Sequence, residues 1–175
     1  MANDTTGGKN KSDLILEEIM RRKEKEKIVD VEEKQVKVVI FSLHGDFYAF
    51  YGEYIKEILP LMTIYYVPGS PEFIPGVINV RGEIESVINI NRFLGLPDSA
   101  NPQSSRIALA VTGGIRSGIL IDSIDEVFDI PASSVKPPLD TLSKSIKEFV
   151  AGEFTLKDKL ITILDIGKIF GKITL

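Results

Sequence analysis

The chain has 175 residues, 43% of them hydrophobic, and a formal net charge of −4. That length supports one domain, or two very small ones that depend on each other. The lack of Cys excludes disulfides, thiolate nucleophiles and Cys-ligated metal sites, and the slight acidity gives no general reason to bind nucleic acid or an anionic membrane.

No apolar run approaches the ~20 residues of a membrane helix. Met1 to Lys11 is polar and lacks the apolar core of a signal peptide. A cytoplasmic protein without direct membrane insertion is expected. Histidine chemistry rests on His44 alone, which sits in His44-Gly45-Asp46 between two apolar runs and reads as an exposed turn.

Residues 1 to 11 are small and polar and are expected to be disordered. Ser12-Asp13 is a candidate cap for a helix starting near Leu14, with Leu14, Ile15, Ile19 and Met20 as its apolar face. Arg21 to Lys27 follows as a solvated charged run, and the tail through Gln35 carries eight basic and nine acidic residues. The short helix can lie on its own domain, on a twin or on a partner.

Strand text begins at Val36. Val36 to Leu43 is β-rich, turns at His44-Gly45-Asp46, and returns as Phe47 to Tyr51. Glu53 to Leu59 suits a short helix or turn stopped by Pro60. Pro68 to Pro71 is a loop. Gly76 to Val80 and Ile84 to Ile90 are strands about the turn Arg81-Gly82-Glu83, and Asn91 to Leu94 is one helical turn closed by Gly95. Asp98 to Ser105 is a polar linker.

The pattern then returns. Ile107 to Val111 and Ser117 to Asp122 are strands about Thr112-Gly113-Gly114. Ile124-Asp125-Glu126-Val127 echoes Ile55-Lys56-Glu57-Ile58 at an offset of 69 residues, the same offset that takes Val38 to Ile107. Ile161 to Ile166 and Lys168 to Gly171 echo Glu85 to Ile90 and Arg92 to Gly95 at an offset of 76. Constant offsets point to a degenerate duplication with a longer connection in the second copy, accommodated by Pro131 to Lys147. Units this small must share a core, and curled sheets hide their edges. The expected fold is therefore mostly β: two small open barrels packed around a shared core, with short helical turns and an N-terminal helical tail. A tail over residues 1–35 precedes a folded body over 36–175. Its halves lie near 36–100 and 106–175, with exchange of chain between them left open. The boundary between barrels is a natural groove for a ligand or a partner's helix.

Phe73-Ile74-Pro75-Gly76-Val77-Ile78-Asn79-Val80-Arg81-Gly82 resembles the G-V-I-N-L-R-G segment of the CheW family of chemotaxis coupling proteins. Tyr54 to Ile58, Gly118 to Val127 and Ile163-Leu164-Asp165-Ile166 resemble it in the same order, so the resemblance covers about Val36 to Leu175. It implies two intertwined five-stranded, SH3-like barrels, no catalytic activity and no cofactor. It also implies an adaptor role: coupling the cytoplasmic helical hairpin of a chemoreceptor to the regulatory domain of a CheA-type histidine kinase, in membrane-anchored receptor arrays. Transferred by position, the receptor groove involves Ile55, Glu57, Ile58, Gly76, Arg81, Ile124 and Val127. Kinase contacts fall on the second barrel without named residues. The sequence departs from the family at Ser86-Val87-Ile88-Asn89-Ile90-Asn91, where P-V-I-D-L-R is common. That departure leaves open a divergent chemosensory pathway, such as one controlling pilus motility. A small-ligand module using the groove between the barrels is the alternative from another class.

Arg81 can donate from its fork to a receptor carboxylate or carbonyl, or pin its own turn. Glu57 can be solvated, pair with Arg81, or pair with a partner's base. Ile55, Ile58, Ile124 and Val127 are contacts if both repeats face one groove, and core otherwise. Gly76 and Gly118 are expected at turns or strand starts. Asp122, Asp125, Glu126 and Asp129 read as a solvated face, with neither a calcium-loop glycine nor a His partner to suggest metal or catalysis. Gly113-Gly114 lacks the pattern of a phosphate loop and reads as a turn.

Overall fold

The computed structural model describes residues 11–28, 33–99 and 103–173. The chain divides into two units, Met1–Glu33 and Lys34–Leu175. The first contains helix α1, Lys11–Ile28, on which Leu14, Ile15, Leu16, Ile19 and Met20 are exposed. The helix starts before the expected cap, so Ser12 and Asp13 fall in its first turn. It also runs on through the charged segment, because Lys, Arg and Glu are good helix formers and Glu17–Arg21 and Glu18–Arg22 have the supportive i,i+4 spacing. The expected disorder of residues 1–11 falls, Lys11 apart, outside the described residues.

The second unit runs β1 (Gln35–Leu43), β2 (Asp46–Tyr51), β3 (Ile55–Pro60), β4 (Gly76–Val80), β5 (Glu83–Asn89), α2 (Ile90–Leu94), β6 (Arg106–Thr112), β7 (Ile115–Ile121), β8 (Ser123–Pro131), α3 (Lys144–Lys147), β9 (Val150–Leu156), β10 (Lys159–Leu164) and α4 (Ile166–Gly171). The strands form two five-stranded sheets curled as half-barrels, in the orders β8-β1-β2-β10-β9 and β3-β6-β7-β5-β4. We call them sheets A and B. The fold is mostly β, as expected. Each sheet takes two strands from one repeat and three from the other, so neither repeat builds a sheet alone.

The duplication is visible in the hydrogen-bond register. β3 lies antiparallel on β6 with Ile58 opposite Ala108 and Leu59 opposite Ile107. Shifted by 69 residues, these become Val127 opposite Val39 and Phe128 opposite Val38, the register of β8 on β1. Both ladders slip at the same place, between Ile55 and Glu57 in β3 and between Ile124 and Glu126 in β8. Gly76 faces Val87 in one hairpin, and Gly152 faces Ile163 in the other, 76 residues on.

Alternation along the strands feeds three cores. Val38, Ile40, Ala49, Ile130, Phe154, Ile161 and Ile163 fill the concave side of sheet A. Leu59, Ile78, Val80, Val87, Ile107 and Leu109 fill that of sheet B. The other faces, with Phe41, Phe50, Ile88, Ala108, Ile119 and Leu164, meet in the largest cluster, which also seats α2 and, through Ile169 and Phe170, α4. Burial on both faces explains why β1 and β6 read as continuous apolar runs rather than alternating ones.

Two local expectations are corrected. Glu53 to Leu59 is not a helix: a single tight turn, Gly52–Tyr54, leads directly into β3. Pro60 misled, because on the edge strand of a sheet its missing N–H costs no ladder bond. Gly118 is not at a turn or a strand start but inside β7, where an added Cβ would lie 2.6 Å from Ile107 Cγ2.

Candidate functional site

β3 and β4 are the two edges of sheet B. The β4–β5 turn places Arg81 and Gly82 at φ of 53° and 93°, the left-handed pair of a tight hairpin, and the Asn79 side chain accepts the Gly82 N–H at 2.7 Å. From that turn the Arg81 guanidinium reaches across to β3 and grips Glu57 with both arms, Nη1 to Oε2 at 2.9 Å and Nη2 to Oε1 at 2.6 Å. The fork geometry is that of a strong, directional pair. The hydrogen bonds from Arg81 hold the Glu57 carboxyl below the usual glutamate range, and Glu57 in turn raises Arg81. Of the alternatives for Glu57, the pair with Arg81 is the one formed. Arg81 stays 76% exposed, so its outer surface faces solvent while it is paired.

The same device recurs in sheet A. Lys157, 76 residues beyond Arg81, sits in the β9–β10 turn at φ 50° and donates to both oxygens of Glu126, 69 residues beyond Glu57, at 2.9 and 3.2 Å. Each ion pair ties together the two edges of its own sheet. Sequence reasoning missed Lys157, although the 76-residue offset from Arg81 identifies it.

The other expected groove residues divide. Ile55 and Ile58 on β3 and Ile124 on β8 are half-buried and pack against the inter-sheet core, so both repeats contribute to one apolar seam. Val127 on β8 is exposed. Gly76 is buried: at φ 154°, a Cβ there would stand 2.1 Å from the Tyr65 carbonyl oxygen. That contact comes from the paired backbone bonds Tyr65 N to Val77 O and Val77 N to Tyr65 O. Gly76 therefore serves close approach of the β3–β4 loop rather than a contact surface.

Three of the four acids in the run form structural contacts. Asp122 accepts the His44 backbone N–H, Glu126 holds Lys157, and Asp129 holds Lys37 at 2.9 Å. Among the described residues, no group of three His, Cys, Asp or Glu is placed to hold a metal. His44 lies in an exposed turn as expected, and its Nε2 is 2.7 Å from the Pro97 carbonyl, which fixes that nitrogen as a donor.

Residues 37–174 match the CheW-like domain family. The chain belongs to that family. It is 30% identical over 141 residues to the chemotaxis protein CheW of Thermotoga maritima, covering 81% of this chain and 91% of the relative. It is 25% identical over 136 residues to that of Bacillus subtilis, covering 78% and 87%. Its fold is similar to the crystal structure of the scaffolding protein TtCheW from Thermoanaerobacter tengcongensis, with a TM-score of 0.69, 31% identity, and coverage of 76% and 86%. The resemblance read from the motifs holds.

Within this CheW-like chain, two of the departures from the family text, Ser86 and Asn89, have local explanations. Ser117 is buried and donates to the Ser86 carbonyl at 2.9 Å, which leaves the Ser86 hydroxyl to donate to Ser117 Oγ at 2.8 Å. Asn89 caps α2 by accepting the Asn91 N–H, as Asp165 caps α4 by accepting that of Lys168. Unlike an Asp, Asn89 also donates, and its amide meets Asp98 at 2.8 Å while Arg92 meets the other Asp98 oxygen at 2.9 Å. Ser86 and Asn89 are thus adapted to their own neighbours, whereas the side-chain oxygen of buried Asn91 finds no hydrogen-bond partner.

Proposed function

We propose that this CheW-like chain couples the cytoplasmic tip of a chemoreceptor to a CheA-type histidine kinase, binding the receptor along the seam between its two half-barrels. The role is that of a chemotaxis adaptor and scaffold without catalysis, the role of its family. The observation that carries it is the family match across nearly the whole folded unit. The seam offers what a helical hairpin needs: apolar Ile55, Ile58 and Ile124, with the charged Glu57–Arg81 pair at the rim. Val127, exposed on the same strand as Ile124, is a further apolar contact candidate, while Gly76 acts only by holding the β3–β4 loop close. Among the described residues no helix is long and apolar enough to cross a membrane, so association with receptor arrays would run through protein contacts.

The test is co-sedimentation with a receptor cytoplasmic fragment, with circular dichroism as a fold control. Arg81→Glu should weaken receptor binding about tenfold or more without loss of fold. The exchange Glu57→Arg with Arg81→Glu re-forms the ion pair in reverse and should leave receptor binding weak. Full recovery in the exchanged variant would reduce Arg81 to a latch on its own barrel and remove it from the receptor site.

A further inference from the structure

The two half-barrels share a plan and differ at their mouths. In sheet B the mouth is filled from within. Glu85 lies opposite Ile78 on the concave side and is 7% exposed. Arg116 reaches in from β7, with Nε 2.8 Å from Glu85 and Nη1 2.6 Å from Glu83. The repeat offsets carry these three positions to Phe47, Lys159 and Ile161 in sheet A. There the internal ion pair is gone. Ile161 replaces the buried acid, Phe47 replaces the arginine, and the Lys159 ammonium lies 3.9 Å above the centre of the Phe47 ring. What remains is a cavity of about 250 Å³ lined by Ile40, Leu156 and Ile161, with Asp125, Glu126, Lys157 and Lys159 also around it.

The shape and charge of this cavity select an occupant. Small-molecule sites usually enclose about 300–1,000 Å³, so this one is sized for a single side chain. Its floor is aliphatic. Its charges are divided, with acids on β8 and the lysines on the β9–β10 hairpin, and Glu126 and Lys157 already satisfy each other. The charges left for a partner are Asp125 on one side and Lys159 on the other. We propose that the mouth of sheet A is a docking site for a partner polypeptide. The partner inserts one leucine-sized apolar side chain, with an acidic residue toward Lys159 and a basic residue toward Asp125. None of the seven seam residues lines this cavity, and although Asp125 and Glu126 lie between Ile124 and Val127 on β8, peptide binding is read without receptor, so failure here leaves the receptor-seam reading standing.

The experiment is methyl-resolved NMR of the full chain titrated with the peptide acetyl-Gly-Glu-Leu-Lys-Gly-amide. Saturable shifts should centre on the methyls of Ile40, Leu156 and Ile161. Lys159→Glu, an exposed substitution, should weaken binding at least about fivefold. Grafting the plug of sheet B as Phe47→Arg, Lys159→Glu and Ile161→Glu should abolish it. Absence of saturable shifts overturns the proposal, as does wild-type affinity in Lys159→Glu with the fold intact. Equal affinity for 4-methylpentanoate would assign the site to small carboxylates and overturn the polypeptide partner.

Discussion

Arg81 and Glu57 form a pair whose protonation has a defined direction. The Glu57 carboxyl is held low by hydrogen bonds from Arg81, so the folded state binds its proton less readily than the unfolded chain does. Stability from this group is complete above the unfolded glutamate value of about 4.3 and is lost as pH falls through the lower folded value. Thermal melts of wild type and Arg81→Ala should therefore differ at pH 7 and draw together as the pH falls below the ordinary glutamate range. A gap that persists at low pH would show that Arg81 acts through packing rather than charge. Gly76 makes a steeper prediction at the same scale. Its φ of 154° and the Tyr65 oxygen 2.1 Å from any added Cβ mean that Gly76→Ala must displace backbone. Its cost in chemical denaturation should exceed the roughly 1–2 kcal/mol that a left-handed backbone alone imposes on a side chain. Gly45 also has positive φ, but nothing lies within 4 Å of its added Cβ, so Gly45→Ala should cost only about 1–2 kcal/mol. Equal losses at the two sites would count against the close-approach account of Gly76.

At the scale of elements, the α2 cap shows how far sequence reading reached. The helical turn and its closing Gly95 were legible, because an apolar turn followed by glycine has a recognisable chemistry, and Gly95 does adopt φ 69°. The reason for Asn89 was not legible, because its partner Asp98 lies beyond the helix in a linker without periodicity. Asn89→Asp should destabilise the fold by placing two carboxylates face to face. Asp98→Asn in the same chain should recover much of the loss, a coupling measurable in a double-mutant cycle. Additive losses would argue that Asn89 matters only as a cap. β3 failed for a related reason. Its pairing with β6 depends on residues about 50 positions away, and Pro60 gave a local stop signal that the edge position makes harmless. The groove residues were half legible. Ile55, Ile58 and Ile124 could be placed by repeat position, whereas the Arg81–Glu57 grip depends on curvature bringing two sheet edges together.

At the scale of the molecule, the exchange of strands between repeats makes the two half-barrels interdependent. Sheet A joins β1 and β2 to β8, β9 and β10, and sheet B joins β3, β4 and β5 to β6 and β7. The inter-sheet core draws on both repeats. Fragments 34–98 and 103–175 should each fail to fold alone, because each holds incomplete sheets. Mixed together, they should regenerate the native spectrum. Circular dichroism and a cooperative melt would check this, and a cooperative melt from either fragment by itself would contradict the account.

The same strand order imposes a timetable on synthesis. All five strands of sheet B have emerged once Ile121 leaves the ribosome, whereas β1 and β2, made first, gain their last partners only when β10 is complete at Leu164. The nascent chain must carry an unpartnered apolar hairpin, with Val38 to Phe41 and Tyr48 to Phe50, through most of translation. Such a hairpin is open to mispairing with neighbouring chains on a polysome. The strand pair built earliest is then the one most in need of a chaperone.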